Sequence, residues 1–564
     1  YIKKILPNVD SSVARSFILG FVAGTFGLIL NAVLIDVFEA SKVAFTYWLL
    51  MGVVLGMLGL YKKDEVDLFK QVKRVISSTY AIIIYLFAMT FVLYALGSSY
   101  YFTGDDFTWF RWVSDCCDNV VKYFTEADGF FYRPGTKLYF SLMYSAFWLN
   151  QTVYHLVSFI LHFGAATLVF LISKRILKNY FLSIISAILF LLLSGYHEAV
   201  FWISSTGFLF NAVFALLAIL FFIYYKEKKA KIYFIISLTS IILSLLFHEL
   251  GVIVPLLIIL YDIISEEKLF SKINLKRYFV LLSPIFPYLF LRFIAGSHWF
   301  SGDYSYNLFH LPFNIVGNSI GYLGLVIFAP VSLPFYQILR NFSKEHVIFS
   351  VLAIIIAIFI VSFVYRMIFR KMIYEERRIV VFGFLFFIIA LLPFLGLGNI
   401  ASRYSYLATA GFAILFALVF KKIYSYLSNI NGQYIALTST IGIVIIFTTL
   451  QLFQLQKIHS DWRVAGEKSK RFIISLEGMY INEWKKERMK FYFVNVPIRF
   501  GEAWVFPVGL SDAVWFVSRN EYIGVYQLSS LSQALGAAKD GPTERVFEFD
   551  NSGGVIERIK PQKK

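Results

Sequence analysis

Long apolar runs alternate with short charged connections along most of the chain. Runs of crossing length fall at 16–36, 43–60, 76–97, 153–173, 179–196, 205–225, 232–248, 250–263, 278–296, 346–365, 379–397, 404–420 and 434–455. A bilayer core takes roughly 20 apolar residues of helix, so the pattern predicts about thirteen crossings, with 250–263 short for one. Two more apolar stretches, Gly135–Leu149 and Phe313–Leu333, begin and end on one side of this threading. They are expected to lie along the outer interface as helices or to re-enter the membrane.

The polar connections test the threading, since Lys and Arg collect on the cytoplasmic side. Lys3-Lys4, Lys62–Arg74, Lys174-Arg175-Lys178, Lys226–Lys231, Lys268–Arg277, Arg366–Arg378 and Lys421-Lys422 all fall on one side. The other side receives Ser98–Arg133, Tyr196–Thr206, His248-Glu249, Gly296–Asn307 and Gly398–Tyr406. Every polar motif able to carry chemistry is thereby expected outside the cytoplasm. An odd number of crossings also places Gln456–Lys564 there. This tail begins with a polar helical part and then shows short alternating runs, Lys490–Val496 and Ala513–Val517 among them, so a small strand-containing domain is expected.

Composition agrees with a polytopic membrane protein: 59% of the 564 residues are hydrophobic and 15% charged. The net charge of +17 resides in the connections, where it reports topology and not a nucleic-acid partner. Cys116 and Cys117 are the only cysteines and are adjacent, which excludes a disulfide framework. Residue 1 is Tyr, and no short apolar segment with a small-residue cleavage site follows. A truncated or processed start is expected, not a secretory signal.

The first long polar interruption carries the acidic pair Asp105-Asp106 inside an aromatic collar of Tyr100, Tyr101, Phe102, Phe107, Trp109, Phe110 and Trp112. Rings offer flat apolar faces and carboxylates accept from hydroxyls, a combination suited to a sugar. The alternative is a solvated loop anchored at the headgroups. Two His-Glu dipeptides, His197-Glu198 and His248-Glu249, end spans on the same side. Neither has the second histidine four residues on that a zinc-protease helix needs, since positions 201 and 252 are Phe and Val. Helix-end hydrogen bonding is their structural alternative. His155 and His162, seven apart, share a helix face and are expected to be packed and hydrogen-bonded. Arg403 lies where a span starts from the outside, so its charge and the positive helix end make an anion site for a lipid phosphate. Snorkelling among tyrosines is the alternative.

In order and sidedness these motifs resemble the membrane glycosyltransferases of the GT-C class, in the branch of protein O-mannosyltransferase-like and tetratricopeptide-associated mannosyltransferase-like enzymes, over roughly 76–455. The resemblance rests on Asp105-Asp106, Tyr132-Arg133-Pro134, Tyr154-His155 with His162, His197-Glu198-Ala199-Val200-Phe201-Trp202-Ile203, His248-Glu249 with Pro255 and Asp262, and Arg403-Tyr404-Ser405-Tyr406-Leu407. Departures are Ser402 for a glutamate, Ala408 for a proline, and Ser204–Phe208, which lacks an Arg and an Asp. Ser16–Leu60 is faintly similar to the last two spans of an O-antigen ligase. Three parts are expected: 1–75, two N-terminal and appended spans; 76–455, the catalytic membrane domain; and 456–564, an extracytoplasmic α+β domain.

The resemblance implies transfer of a sugar from a polyprenyl-phosphate donor to an acceptor hydroxyl of a glycan, lipid or protein, with inversion, in a prokaryotic cytoplasmic membrane. Asp106, or else Asp105, is the expected base. Arg403 and Arg133, with Tyr404 and Tyr406, are expected at the donor phosphate, and His197, Glu198, Trp202, His248 and Glu249 at the substrates. No cofactor is expected, because Arg and His supply the positive charge; a divalent metal held by Asp105, Asp106 and Glu249 is the alternative. A flippase that binds lipid-linked sugars without chemistry is the rival. Transporters place their ionisable groups near the midplane, whereas here they crowd one face.

Overall fold

The computed structural model describes residues 6–32, 78–116, 121–127, 131–265, 271–297, 305–346, 372–485, 487–538 and 543–558, with isolated positions between them. Contacts divide the chain into two compact units, Tyr1–Tyr85 and Leu86–Lys564. In the first, helix Ser12–Ala32 buries Ala14 and Ile18 with Val9 and Val54. Most of the 43–60 and 346–365 runs, the clusters Lys3-Lys4 and Lys62–Arg74, much of Arg366–Arg378 and of Gly296–Asn307, and Cys117 lie outside the described residues.

Among the described residues eight helices are long and apolar enough to cross a membrane, or nine if the bent pair Tyr180–Leu192 and Ser194–Phe201 is one span. Not every one of the thirteen expected runs is among these helices. Lys231–Phe247 and Val254–Ser265 are short, and two of the predicted runs fall largely outside the described residues. The 278–296 run is met by two helices, Lys272–Leu282 and Ile285–Ile294, joined at Ser283-Pro284.

Ion pairs identify the two ends of the bundle in Leu86–Lys564. At one end the basic connections meet acids, two of them buried: Lys226 lies 2.8 Å and Arg277 3.6 Å from the buried Asp262, Lys421 lies 3.1 Å from the buried Glu376, and Arg175 lies 2.9 Å from the exposed Glu227. The opposite end gathers residues 100–116, 121–127, 131–149, 194–206, 247–253 and 396–406, linked by bonds such as Thr136 Oγ1 to Phe247 O at 2.6 Å and Ser405 Oγ to Gly195 O at 3.3 Å. Helix Leu311–Phe328, one of the eight by length, has both ends against this second end. Asn314 donates to Gly396 O at 3.1 Å, and Gln451 to Ile327 O at 2.8 Å. A crossing helix would carry its last turn to the other end, so this one lies across the bundle, as the stretch 313–333 was expected to do. Helix Pro134–Phe147 lies at the same end, opened by Pro134 at a position where a missing N–H costs nothing.

The long helical stretch Tyr406–Gly478 is broken at Gly432, where φ is 81°. Its second part, Gly432–Gly478, continues without interruption past residue 455 into the C-terminal region. There a four-stranded sheet has the order β4-β1-β5-β6, formed by β1 (Lys490–Val494), β4 (Gly524–Leu528), β5 (Glu544–Phe549) and β6 (Val555–Arg558). Alternation divides β1: Phe491 and Phe493 face Phe472 and Trp484, while Tyr492 and Val494 pack on Ala534 of helix Leu531–Ala537. A separate hairpin pairs β2 (Arg499–Phe500) with β3 (Ala503–Trp504). One strand expectation fails: Ala513–Val517 belongs to helix Leu510–Ser518. The run is too apolar to separate one buried helix face from a strand, and Asp512 in the first turn favours the helix.

Candidate active site

The acidic pair does not sit in an open loop. Asp105 and Asp106 form the first turn of helix Asp105–Cys116, where negative charge meets the positive helix end. Asp106 reaches back to accept from Thr103 N at 2.8 Å, the returning half of a capping box. Its other oxygen accepts from Ser204 N at 2.7 Å and from the Ser204 hydroxyl. Asp106 is 2% exposed, whereas Asp105 is half-buried. Burial pushes the Asp106 carboxyl up to about 7, against the opposing hydrogen bonds from Ser204 and Thr103.

The preceding turn is clamped by the C-terminal domain. Gly509 has φ 82°, and a side-chain carbon there would overlap Gly104 O. Asp512 then accepts from Thr108 at 2.6 Å and from Arg111 at 3.0 Å, tying the acidic helix to Leu510–Ser518.

Beside Ser204 stands the second half of the site. Glu198, 2% exposed, accepts from Arg403 Nη1 on Oε2 at 2.9 Å and from Trp504 Nε1 on Oε1 at 2.7 Å. Its backbone N donates to Ser402 Oγ at 3.2 Å, so the residue standing where the resemblance has a glutamate supports Glu198. The Arg403 guanidinium lies 5.2 Å from the Trp202 ring and 4.9 Å from the Tyr404 ring. Tyr404 stacks on Phe394 at 4.0 Å. Tyr406, by contrast, turns to His162 Nδ1 at 2.8 Å inside an aromatic cluster with Phe190 and Tyr196.

Arg133 and Glu249 make a third element. The guanidinium donates through Nε at 2.7 Å and Nη2 at 2.6 Å, a two-pronged pair. Burial raises the Glu249 carboxyl, but Arg133, with His248, outweighs it and holds the group below the usual carboxylate range. Phe208 joins this pair to the previous one, 6.0 Å from the Arg133 guanidinium, 4.0 Å from the His248 ring and 5.8 Å from the Tyr404 ring. His197 Nδ1 accepts from Trp462 Nε1 at 3.1 Å. His155 contacts Tyr100 O at 3.0 Å, so both this histidine and His162 are packed and hydrogen-bonded, as expected.

The structure therefore gathers Asp105, Asp106, Glu198, Trp202, Arg403, Tyr404, Arg133, His248 and Glu249 at one end, and places Tyr406 with His162 instead. Among the described residues no three His, Cys, Asp or Glu side chains form a group able to hold a metal. Sequence reasoning missed Ser204, Trp504 and Asp512. Ser204 was visible only as a departure, and the other two lie in a tail whose pattern reveals a domain but not where it docks.

No protein-family model and no curated protein matches the chain. Among solved structures it is similar to the archaeal oligosaccharyltransferase AglB from Archaeoglobus fulgidus, in complex with an inhibitory peptide and a dolichol-phosphate, with TM-score 0.44 and 11% identity over 82% of this chain. The chain spans 65% of the length of that protein. It is similar also to ArnT from Cupriavidus metallidurans bound to undecaprenyl phosphate, with TM-score 0.46 and 10% identity over 83% of this chain and 93% of that one.

Proposed function

We propose that the chain is an inverting glycosyltransferase of the GT-C kind, which moves a sugar from a polyprenyl-phosphate donor to an acceptor hydroxyl at the extracytoplasmic face. The supporting observation is that Asp106, next to the half-buried Asp105, accepts from Ser204, which lies on the same short segment as the Glu198 that pairs with Arg403. Of the pair, Asp105 is taken as the base in place of the Asp106 expected from the sequence, because it is half-buried whereas Asp106 is 2% exposed. The acceptor O–H proton passes to Asp105 as the acceptor oxygen bonds to the anomeric carbon. The bond from that carbon to the phosphate oxygen breaks, its electron pair stays on the phosphate, and Arg403 neutralises the charge. Arg133 orients Glu249 and His248 beside the sugar, with Trp202 as a ring face.

The three-part division at about 75 and 455, transfer of a hexose, and turnover without a metal belong to this reading. The decisive experiment incubates the purified protein with a panel of polyprenyl-phosphate sugars, with and without exhaustive chelation, and follows release of polyprenyl phosphate. Binding of donor without release would favour the flippase.

A further inference from the structure

Exposure divides helix Asp105–Cys116 lengthwise. Asp105, Thr108, Arg111 and Trp112 form a half-buried stripe at helical spacing, whereas Asp106, Phe107, Trp109, Phe110 and Val113 are buried. Rings hold the buried side: Trp109 stacks on Phe140 with centroids 5.0 Å apart, and Phe110 on Tyr144 at 5.5 Å. Apolar contact is non-directional and resists a small roll about the helix axis less than a directed polar bond does. The bonds from Ser204 to Asp106 hold the buried side of the first turn, and a single anchor of that kind leaves a pivot. A second anchor lies on the half-buried stripe, where Asp512 accepts from Thr108 Oγ1 at 2.6 Å and from Arg111 Nη1 at 3.0 Å. We propose that Asp512 is a positioning residue for the base: it fixes the rotation of helix Asp105–Cys116 and so the direction in which Asp105 faces the acceptor hydroxyl. This rests on the function proposed above and makes the C-terminal domain the part that aims the base.

The surroundings hold Asp512 itself in place. It stands in the first turn of helix Leu510–Ser518, and the segment entering that helix leans on the turn entering the acidic helix. A side-chain carbon at Gly104, where φ is 45°, would come within 3.1 Å of Pro507 Cδ and of Val508 O, just as one at Gly509 would overlap Gly104 O. The two helix starts are therefore packed backbone against backbone. Further along, the Arg111 guanidinium lies 5.6 Å from the ring of Trp515, one turn on from Asp512, and Phe107 meets Phe516 at 5.9 Å. Arg111 is thus taken by a carboxylate and a ring of the same helix.

A residue that acts by aiming Asp105 has nothing to aim once Asp105 cannot take a proton. The experiment is a double-mutant cycle with Asp105→Asn on full-length protein, read as the single-turnover rate of polyprenyl phosphate release and as inhibition by polyprenyl phosphate. Asp512→Ala is expected to lower the rate about tenfold, the scale of one charge-assisted hydrogen bond, with inhibition changed less than about twofold. In the Asp105→Asn background the same substitution should change the residual rate less than about twofold. Asp512→Asn keeps one accepting oxygen and should recover most of the rate. Thr108→Val removes one of the two bonds without touching the C-terminal domain, should lower the rate by a smaller factor, and runs the same cycle if the alanine protein does not fold. Equal losses in both backgrounds, a wild-type rate for Asp512→Ala, or a loss carried by inhibition instead of rate would overturn the proposal while leaving the transferase reading intact. A wild-type protein that releases polyprenyl phosphate from no donor would overturn both.

Discussion

At the scale of single residues, burial divides the acidic pair, and the proposed function gives the two members different roles. Asp105→Asn keeps the shape of the proposed base but cannot take a proton, so turnover should fall about 100- to 10,000-fold, with donor binding preserved. Asp106→Asn disturbs the turn, and its effect should be smaller on rate and larger on thermal stability. If Asp105→Asn retains most of its rate while Asp106→Asn loses it, the roles are reversed. Asp106 also gives a pH signature. Its carboxyl, raised to about 7 in the folded protein from an ordinary 3.8, holds its proton more tightly folded than unfolded. The stability this contributes is complete below the ordinary value and is lost as pH rises towards 7. Melting temperatures at pH 5 and pH 8 should therefore show Asp106→Asn gaining relative to wild type at the higher pH; a constant difference would contradict the raised proton affinity.

At the scale of elements, Arg403 occupies the 3-10 turn Ser402–Ser405 that opens a long helix, where backbone N–H groups reinforce its charge. Arg403→Ala should weaken polyprenyl phosphate binding more than Arg403→Lys, because lysine keeps the charge but not the fork. Equal affinity in wild type and the alanine variant would remove this turn from the site. Much at this scale was legible beforehand. Apolar period and length gave the long helices and the two interfacial ones, and sidedness of Lys and Arg brought Asp105, Glu198, Glu249 and Arg403 to one end. Legibility failed where the deciding contact comes from far along the chain. The partners of Glu198 include a tryptophan 306 residues away, and no local pattern announces such a contact. Tyr406, which the resemblance implies at the phosphate, lies three residues beyond Arg403 across the 3-10 turn and helix start, and there its hydroxyl bonds to His162 Nδ1.

For the whole molecule, sidedness is the claim with the widest reach. A cysteine at the exposed position Ser529, with Cys116 and Cys117 replaced, should react with an impermeant thiol reagent in intact cells. Reaction only after permeabilisation would invert the threading. The unbroken helix Gly432–Gly478 adds a mechanical consequence. Its 47 residues extend roughly 70 Å at 1.5 Å per residue, against about 30 Å of bilayer core. One continuous helix thus runs from its apolar part to Asp461, whose carboxylate accepts from Glu502 N at 3.0 Å in the β2–β3 hairpin that carries Trp504. A span too long for a thin bilayer tilts, and a tilt of this helix should strain the bond between Trp504 of that hairpin and Glu198. Turnover in vesicles of short-, medium- and long-chain lipids should then pass through an optimum, and a rate independent of chain length would uncouple membrane thickness from this site.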